Sequence, residues 1–273
     1  MGARLVRLGV LALAAAGALA AVLWLAQRRL LYFPDREARA DAERRARALG
    51  LEPWEDGGEL LGWHARTPGA GARLVVFHGN AGSALDRGYV AAAFRRALPD
   101  VPVEVYLAEY PGYGPRPGAA SEPALRAEAR RAIAAARRGA PGPVLVLGES
   151  LGAAVAAVAA ADEPAAVDGL LLVTPLASVP AVARRHYPLV PGFLLRDRWE
   201  ADRALPRYRG RVAFLLAGAD EITFADLGRA LHDAYPGPKR LWVEEGAGHN
   251  GLGWDPASPR FREMLAFVLG RDR

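Results

Sequence analysis

Three side chains of this sequence have the types and the order of a nucleophile, an acid and a base: Ser150, Asp220 and His249. Ser150 stands in Gly148-Glu149-Ser150-Leu151-Gly152, between an apolar block at 144–147 (VLVL) and an Ala-rich run at 151–161. A serine between glycines where a strand turns sharply into a helix is the pattern of a nucleophile elbow, because the backbones there pass too closely for larger side chains. Its hydroxyl would stand at the amino end of a helix, where the dipole stabilises negative charge. The plain alternative is a serine in an ordinary turn, and the presence of a base and an acid decides between the two.

The chain offers five histidines: His64, His78, His186, His232 and His249. Only His249 lies in a loop after the last apolar block, in the order serine, acid, histidine that such hydrolytic sites follow. His232 falls within a predicted helix, His78 at a strand end ahead of the nucleophile where a structural hydrogen bond suits it better, and His64 and His186 lack supporting neighbours. The acid is expected after the strand that precedes the histidine loop, where 212–216 (VAFLL) runs into Ala217-Gly218-Ala219-Asp220-Glu221. Asp220 would accept the imidazole N–H, fix its tautomer and stabilise the imidazolium. Glu221 and Asp226 are nearby substitutes, while Thr174-Pro175-Leu176 after 170–173 brings no carboxylate.

A tetrahedral intermediate also needs donors. Residues 78–82, His78-Gly79-Asn80-Ala81-Gly82, follow the apolar block 74–77. There the backbone N–H of Asn80, with that of Leu151, would face the developing oxyanion. The loop lacks the Gly-Lys-Ser/Thr ending of a phosphate loop and the G-x-G-x-x-G spacing of a dinucleotide site.

The elements that must hold these residues alternate. Short β-type blocks at 74–77, 103–107, 144–147, 170–173, 212–216 and 241–243 are separated by helix-like runs at 122–138, 151–161, 224–235 and 258–269. The alternation predicts an α/β fold with βαβ units and a mainly parallel sheet, with ligands bound beyond the carboxyl ends of the strands.

Together these pieces resemble the α/β-hydrolase superfamily from about residue 59 onward, and within it a membrane-anchored branch that bears an HGNAG loop. The further matches are LLYFPD at 30–35, EYPGYGPRPGAASE at 109–122, GESLGAAVA at 148–156 and GADEIT at 218–223. The resemblance implies a serine hydrolase similar to depalmitoylating thioesterases, lysophospholipases and esterases, with peptidase-type enzymes as the alternative activity and a non-catalytic scaffold as the alternative class. It implies no cofactor and no metal. Two positions depart from the branch: Ala153 replaces the glycine that often follows the elbow, and Gly251 replaces an acidic residue after the histidine loop.

Residues 178–208 occupy the place of a cap and are short enough to predict an open cleft. Within it, the apolar run 187–195 with Trp199 either lines an acyl-chain groove or packs as a cap helix on the sheet. At the amino end, 8–26 is an uncharged apolar run bounded by Arg4 and Arg7 before and Arg28 and Arg29 after. Its length predicts a bilayer-spanning anchor, with a secretory signal cleaved after Ala18-Leu19-Ala20 as the alternative. The denser arginines after it lean towards a catalytic domain on the cytoplasmic side. Residues 1–29 are thus read as the anchor, 30–58 as a charged connector with a helical, solvated spacer at 35–49, and 59–273 as the catalytic domain. The expected partners are the membrane and a small acyl ester or lipid-like substrate.

The net charge of +5 and a pI near 9.9 come almost wholly from scattered arginines, with Lys239 the only lysine. No basic stripe interleaved with aromatics is present, which argues against nucleic acid. The absence of cysteine excludes disulfides, thiolate metal sites and a cysteine nucleophile.

Overall fold

In the computed structural model, which describes residues 2–95, 97–98, 101–139, 142–188 and 190–272, eight strands form one sheet. In chain order they are β1 (Glu52–Asp56), β2 (Glu59–Ala65), β3 (Ala72–Phe77), β4 (Val103–Ala108), β5 (Val144–Glu149), β6 (Gly169–Val173), β7 (Arg211–Ala217) and β8 (Lys239–Glu244). Their spatial order is β8-β7-β6-β5-β3-β4-β2-β1. From β8 to β4 every pair is parallel; β2 runs antiparallel to both β4 and β1. The central strands are buried apart from Glu149 at the end of β5, as continuous Val/Leu blocks require when helices cover both faces.

The helices are α1 (Gly2–Leu31), α2 (Arg39–Ala48), α3 (Gly88–Arg95), α4 (Glu122–Gly139), α5 (Leu151–Asp162), α6 (Val179–His186), α7 (Ala201–Ala204), α8 (Ala225–Ala234) and α9 (Pro259–Val268). Residues of α4, α5, α7 and α8 join the core on one face of the sheet, and those of α2, α3 and α9 join it on the other. Helix α5 has no polar side, and every residue from Leu151 to Ala160 is buried. Its alanines and Gly152 let it lie close against the strands it follows and precedes.

Two expectations are corrected at the amino side of the domain. The α/β body begins before residue 59, because β1 and α2, inside the expected connector, are built into it. The signal lay in Gly57-Gly58, whose φ angles of 61° and 80° form the two-residue turn that pairs Asp56 with Glu59. Helix α2 is not a solvated spacer either: Ala42 and Ala46 are fully buried. A stripe of two alanines is narrow, yet it lets the helix backbone approach closely. Its arginines meet carboxylates, Arg39 with Glu43 and Glu55, and Arg45 with Glu37 and Asp86.

Helix α1 carries an apolar span, Val6–Leu31, whose described residues as far as Leu25 are exposed, while Gln27, Arg28 and Leu31 at its carboxyl end are half-buried against the body. Its length and composition fit a single membrane span or a signal sequence. The side chains at 3, 5, 12, 16 and 19 lie outside the described residues, as does Leu189 of the apolar cap run. Within the rest of that run Leu194 and Leu195 are half-buried. Tyr187, Val190 and Phe193 are exposed, whereas Trp199 is fully buried and donates its indole N–H to the Tyr32 hydroxyl at 3.0 Å.

Candidate active site

The register of the sheet brings the loops together. Phe77 is paired with Gly148, Glu149 with Val173, and Ala217 with Glu244, so the loops after β3, β5, β7 and β8 open on one end. Ser150 follows β5 with φ 56° and ψ −117°, a backbone region that a non-glycine residue occupies only under constraint. The constraint comes from both sides. Ser150 N–H donates to the Val173 carbonyl at 2.9 Å, and a Cβ at Gly152 would stand 2.0 Å from the Phe77 carbonyl oxygen. A Cβ at Gly148 would stand 2.2 Å from the Gly152 carbonyl oxygen. The two glycines are thus what lets α5 leave the sheet so abruptly that the serine is held at the turn.

His249 reaches this serine from the loop after β8. Its Nε2 is 3.0 Å from Ser150 Oγ, and its Nδ1 is 2.8 Å from Asp220 Oδ2. Asp220 is buried after β7 and accepts four hydrogen bonds. They come from His249, from the Thr223 hydroxyl at 2.7 Å, and from the backbone N–H groups of Ile222 and Thr223 at 2.9 and 2.8 Å. Burial is the largest single influence on its carboxyl and pushes it up. The hydrogen bonds from His249 and Thr223 together outweigh it and hold the group at about 2, below the ordinary 3.8. An anion held this way orients the imidazole and favours its positive form.

The substitutes for the acid are placed elsewhere. Glu221 Oε2 faces the backbone N–H of His249 at 3.3 Å, and Asp226 pairs with Arg185 of α6. Of the other histidines, His64 contacts Glu104 and stacks on Tyr106, His186 meets the Ile222 carbonyl, and His232 contacts Asp233. His78 is buried against Glu109, 3.2 Å from Nε2, with Nδ1 2.8 Å from the Gly79 carbonyl.

Gly79 lies beside Ser150: a Cβ there would be 3.6 Å from Ser150 Cβ. Asn80 next to it is tied back from the cleft. Its carbonyl accepts from Phe33 N–H at 2.8 Å and the Tyr113 hydroxyl at 2.7 Å, and its side-chain amide donates to the Leu31 carbonyl at 3.0 Å. These ties engage the carbonyl and the side-chain nitrogen of Asn80. The Leu151 N–H belongs to the first turn of α5, where no intrahelical acceptor exists.

A cleft of about 250 Å³ adjoins His249. Besides His249 it is lined by polar Arg87, Tyr89, Glu149, Thr174 and Asn250 and by apolar Val173, Leu252 and Trp254. Glu149, the residue before Ser150, accepts from Arg87 Nε at 2.6 Å and from the Tyr89 hydroxyl at 3.3 Å. Thr223, Arg87 and Glu149 were not singled out from the sequence. Thr223 stood in the quoted GADEIT run and Glu149 in the elbow itself, but nothing local marks Arg87. Among the described residues, no group of three or more His, Asp or Glu is arranged to hold a metal ion.

Over 265 residues, covering 94% of this chain and 90% of the other, the sequence is 35% identical to the uncharacterised protein Rv2307c of Mycobacterium tuberculosis H37Rv. The chain belongs to the family of that mycobacterial protein. It is also 29% identical over 211 residues, 70% of each chain, to the uncharacterised protein YfhR of Salmonella typhimurium. No protein-family model matches it.

Among solved structures it is similar to Est1E of Butyrivibrio proteoclasticus, determined with ferulic acid bound. The TM-score is 0.66 at 17% identity, covering 80% of this chain and 99% of that one. An esterase of Pyrococcus furiosus gives 0.64 at 13% identity, covering 88% and 98%. A monoacylglycerol lipase of Paleococcus ferrophilus gives 0.54 at 19% identity, covering 73% and 94%. At these identities the likeness is one of fold, and the fold is that of the α/β hydrolases.

Proposed function

We propose that the chain is a membrane-anchored serine hydrolase that cleaves carboxylic ester or thioester bonds of acyl or lipid-like substrates. The observation that carries this reading is the unbroken line of contacts from Ser150 Oγ through His249 to Asp220, at 3.0 and 2.8 Å. Ser150 Oγ attacks the acyl carbon while His249 Nε2 takes the hydroxyl proton. Asp220 stabilises the imidazolium, and the N–H groups of Asn80 and Leu151 face the oxyanion. His249 then returns the proton to the leaving alcohol or thiol, and an acyl-enzyme remains on Ser150. A water molecule deprotonated by His249 releases the carboxylic acid and restores the serine.

Esterases and lipases among the structural neighbours agree with this reading. A fluorophosphonate probe tests it: the wild-type chain is expected to be labelled, and Ser150→Ala not. Equal labelling of the two would overturn the assignment. Matched aryl ester and aminoacyl amide substrates separate the ester reading from a peptidase, which would turn over the amide as well.

A further inference from the structure

We propose that Tyr187, Val190 and Phe193 of the cap form a bilayer-contacting surface, seated beside the apolar helix, which opens the site towards esters resident in the membrane. The substrate part of this inference rests on Ser150 being the nucleophile; the surface itself does not.

Three large apolar side chains project from this one segment, with Tyr187 65%, Val190 42% and Phe193 82% exposed. A cluster of this kind on a water-facing loop is unfavourable unless something covers it. The adjoining surface shows what does. Gln27 near the carboxyl end of α1 clamps the cap backbone, its amide donating to the Leu194 carbonyl at 2.8 Å and accepting from Arg196 N–H at 2.9 Å. Arg28 forms a two-pronged bridge to Asp197 at 3.0 and 3.1 Å, and the Arg196 guanidinium lies 4.3 Å from the centre of the Trp24 ring.

Phe193 therefore sits one residue from a carbonyl held by the last turns of α1. With the apolar span of α1 in a bilayer, Trp24 and the arginines at 28 and 29 fall at its interface, where such side chains concentrate. Phe193 falls at the same depth. The apolar face of the cap is thus continuous with that of the helix, and the occupant is lipid.

Both walls of the site are tied to these elements. His186, the residue before Tyr187, meets the Ile222 carbonyl at 3.0 Å, and Ile222 N–H in turn binds Asp220. On the other wall, Leu31 at the end of α1 accepts from Asn80. The cleft of about 250 Å³ beside His249 is small and half polar, so it suits a compact group. A long acyl chain has to lie outside it, and the exposed cap segment offers an apolar path that ends in the bilayer.

Because the chain contains no cysteine, a single one can be labelled without background. Full-length Phe193→Cys and Pro68→Cys, each carrying an environment-sensitive dye, are placed in phosphatidylcholine and phosphatidylglycerol vesicles. Pro68 precedes β3 at the end of the sheet opposite the site. The Phe193 position is expected to be quenched by nitroxide-bearing lipid and shielded from iodide, and the Pro68 position to behave in the opposite way. Equal iodide access at both overturns the proposal. So does shielding without nitroxide quenching, which would assign the surface to a protein or a second copy.

A second arm compares Phe193→Glu with wild type on two substrates. Turnover of a long-chain ester held in the vesicle is expected to fall about tenfold, and turnover of a water-soluble short ester to stay unchanged. An equal fall on both overturns the substrate path. If Ser150 failed to take the fluorophosphonate probe, the hydrolase reading would fail while the quenching result stood.

Discussion

The side-chain amide of Asn80 donates to the carbonyl of Leu31, at 3.0 Å and across 49 positions of sequence. The loop that would face the oxyanion is thereby fastened to the end of the apolar helix. The amide's partner is the helix end, so any effect it has on the proposed backbone donor of Asn80 is one of position. In Asn80→Ala the backbone donor survives and the fastening is lost. We expect kcat on a soluble ester to fall about tenfold with KM nearly unchanged, as for a group that matters in the transition state. Unchanged kcat would show that Phe33 and Tyr113 hold the loop without it.

Asp220 ties catalysis to acid stability. Its carboxyl is held at about 2, so the folded state keeps the anion where an unfolded chain near 3.8 would take up a proton. A depressed carboxylate contributes stability that is fully present above the unfolded value and is lost as pH falls from about 4 through about 2. The contribution is about 2 kcal/mol at neutral pH. Asp220→Asn is expected to lose activity by about 10³-fold or more, because the imidazole loses the partner that sets its tautomer. In denaturant titrations the stability gap between wild type and Asp220→Asn should narrow as pH drops from 4 to 2. A gap that stays constant over that window would show that Asp220 is not held as an anion in the fold.

That Ser150, Asp220 and His249 would meet was legible in the sequence because each follows its own apolar block, so chain order and strand order carried the same information. The central strands were legible for a related reason: buried on both faces, they read as unbroken Val/Leu runs. What was missed depends on how the chain folds rather than on a local pattern. Arg87 matters through Glu149, 62 positions away, and Thr223 through the way the loop after β7 folds back on Asp220. β1 and β2 lack a clean two-residue alternation, and only the Gly57-Gly58 turn marks them. The narrow alanine stripe of α2 was outweighed in the pattern by its arginines, whose partners Glu55 and Asp86 could not be seen from the helix alone.

Arg87 and Glu149 form an ion pair whose side chains are only 17% and 18% exposed, at the wall of the cleft. Removing one partner leaves a largely desolvated charge without its counterpart, which is the costly half of such a change. Arg87→Ala and Glu149→Ala should each destabilise the fold by about 2 kcal/mol. The double variant is expected to be less destabilised than the sum of the two. Thermal or denaturant unfolding of the four chains measures that coupling directly. Strict additivity would mean that the two side chains do not act as a pair.

Two glycines of the site separate folding from turnover. At Gly152 an added Cβ would meet the Phe77 and His78 carbonyl oxygens at 2.0 and 2.5 Å, both backbone atoms fixed by the sheet and its following loop. Neither can yield without moving α5 or β3, so Gly152→Ala is expected to cost about 3 kcal/mol or more and to lower Tm sharply. At Gly79 the nearest atoms are the Arg87 side chain and Ser150 Cβ, both at 3.6 Å, an ordinary contact distance. Gly79→Ala should therefore fold with a Tm close to wild type. Its methyl group would nonetheless stand beside the nucleophile, in space that an approaching acyl group needs. We expect a loss of about tenfold or more in kcat/KM, largest for acyl groups branched next to the carbonyl. A Gly79→Ala chain that keeps full activity on branched esters would place the substrate on the other side of Ser150.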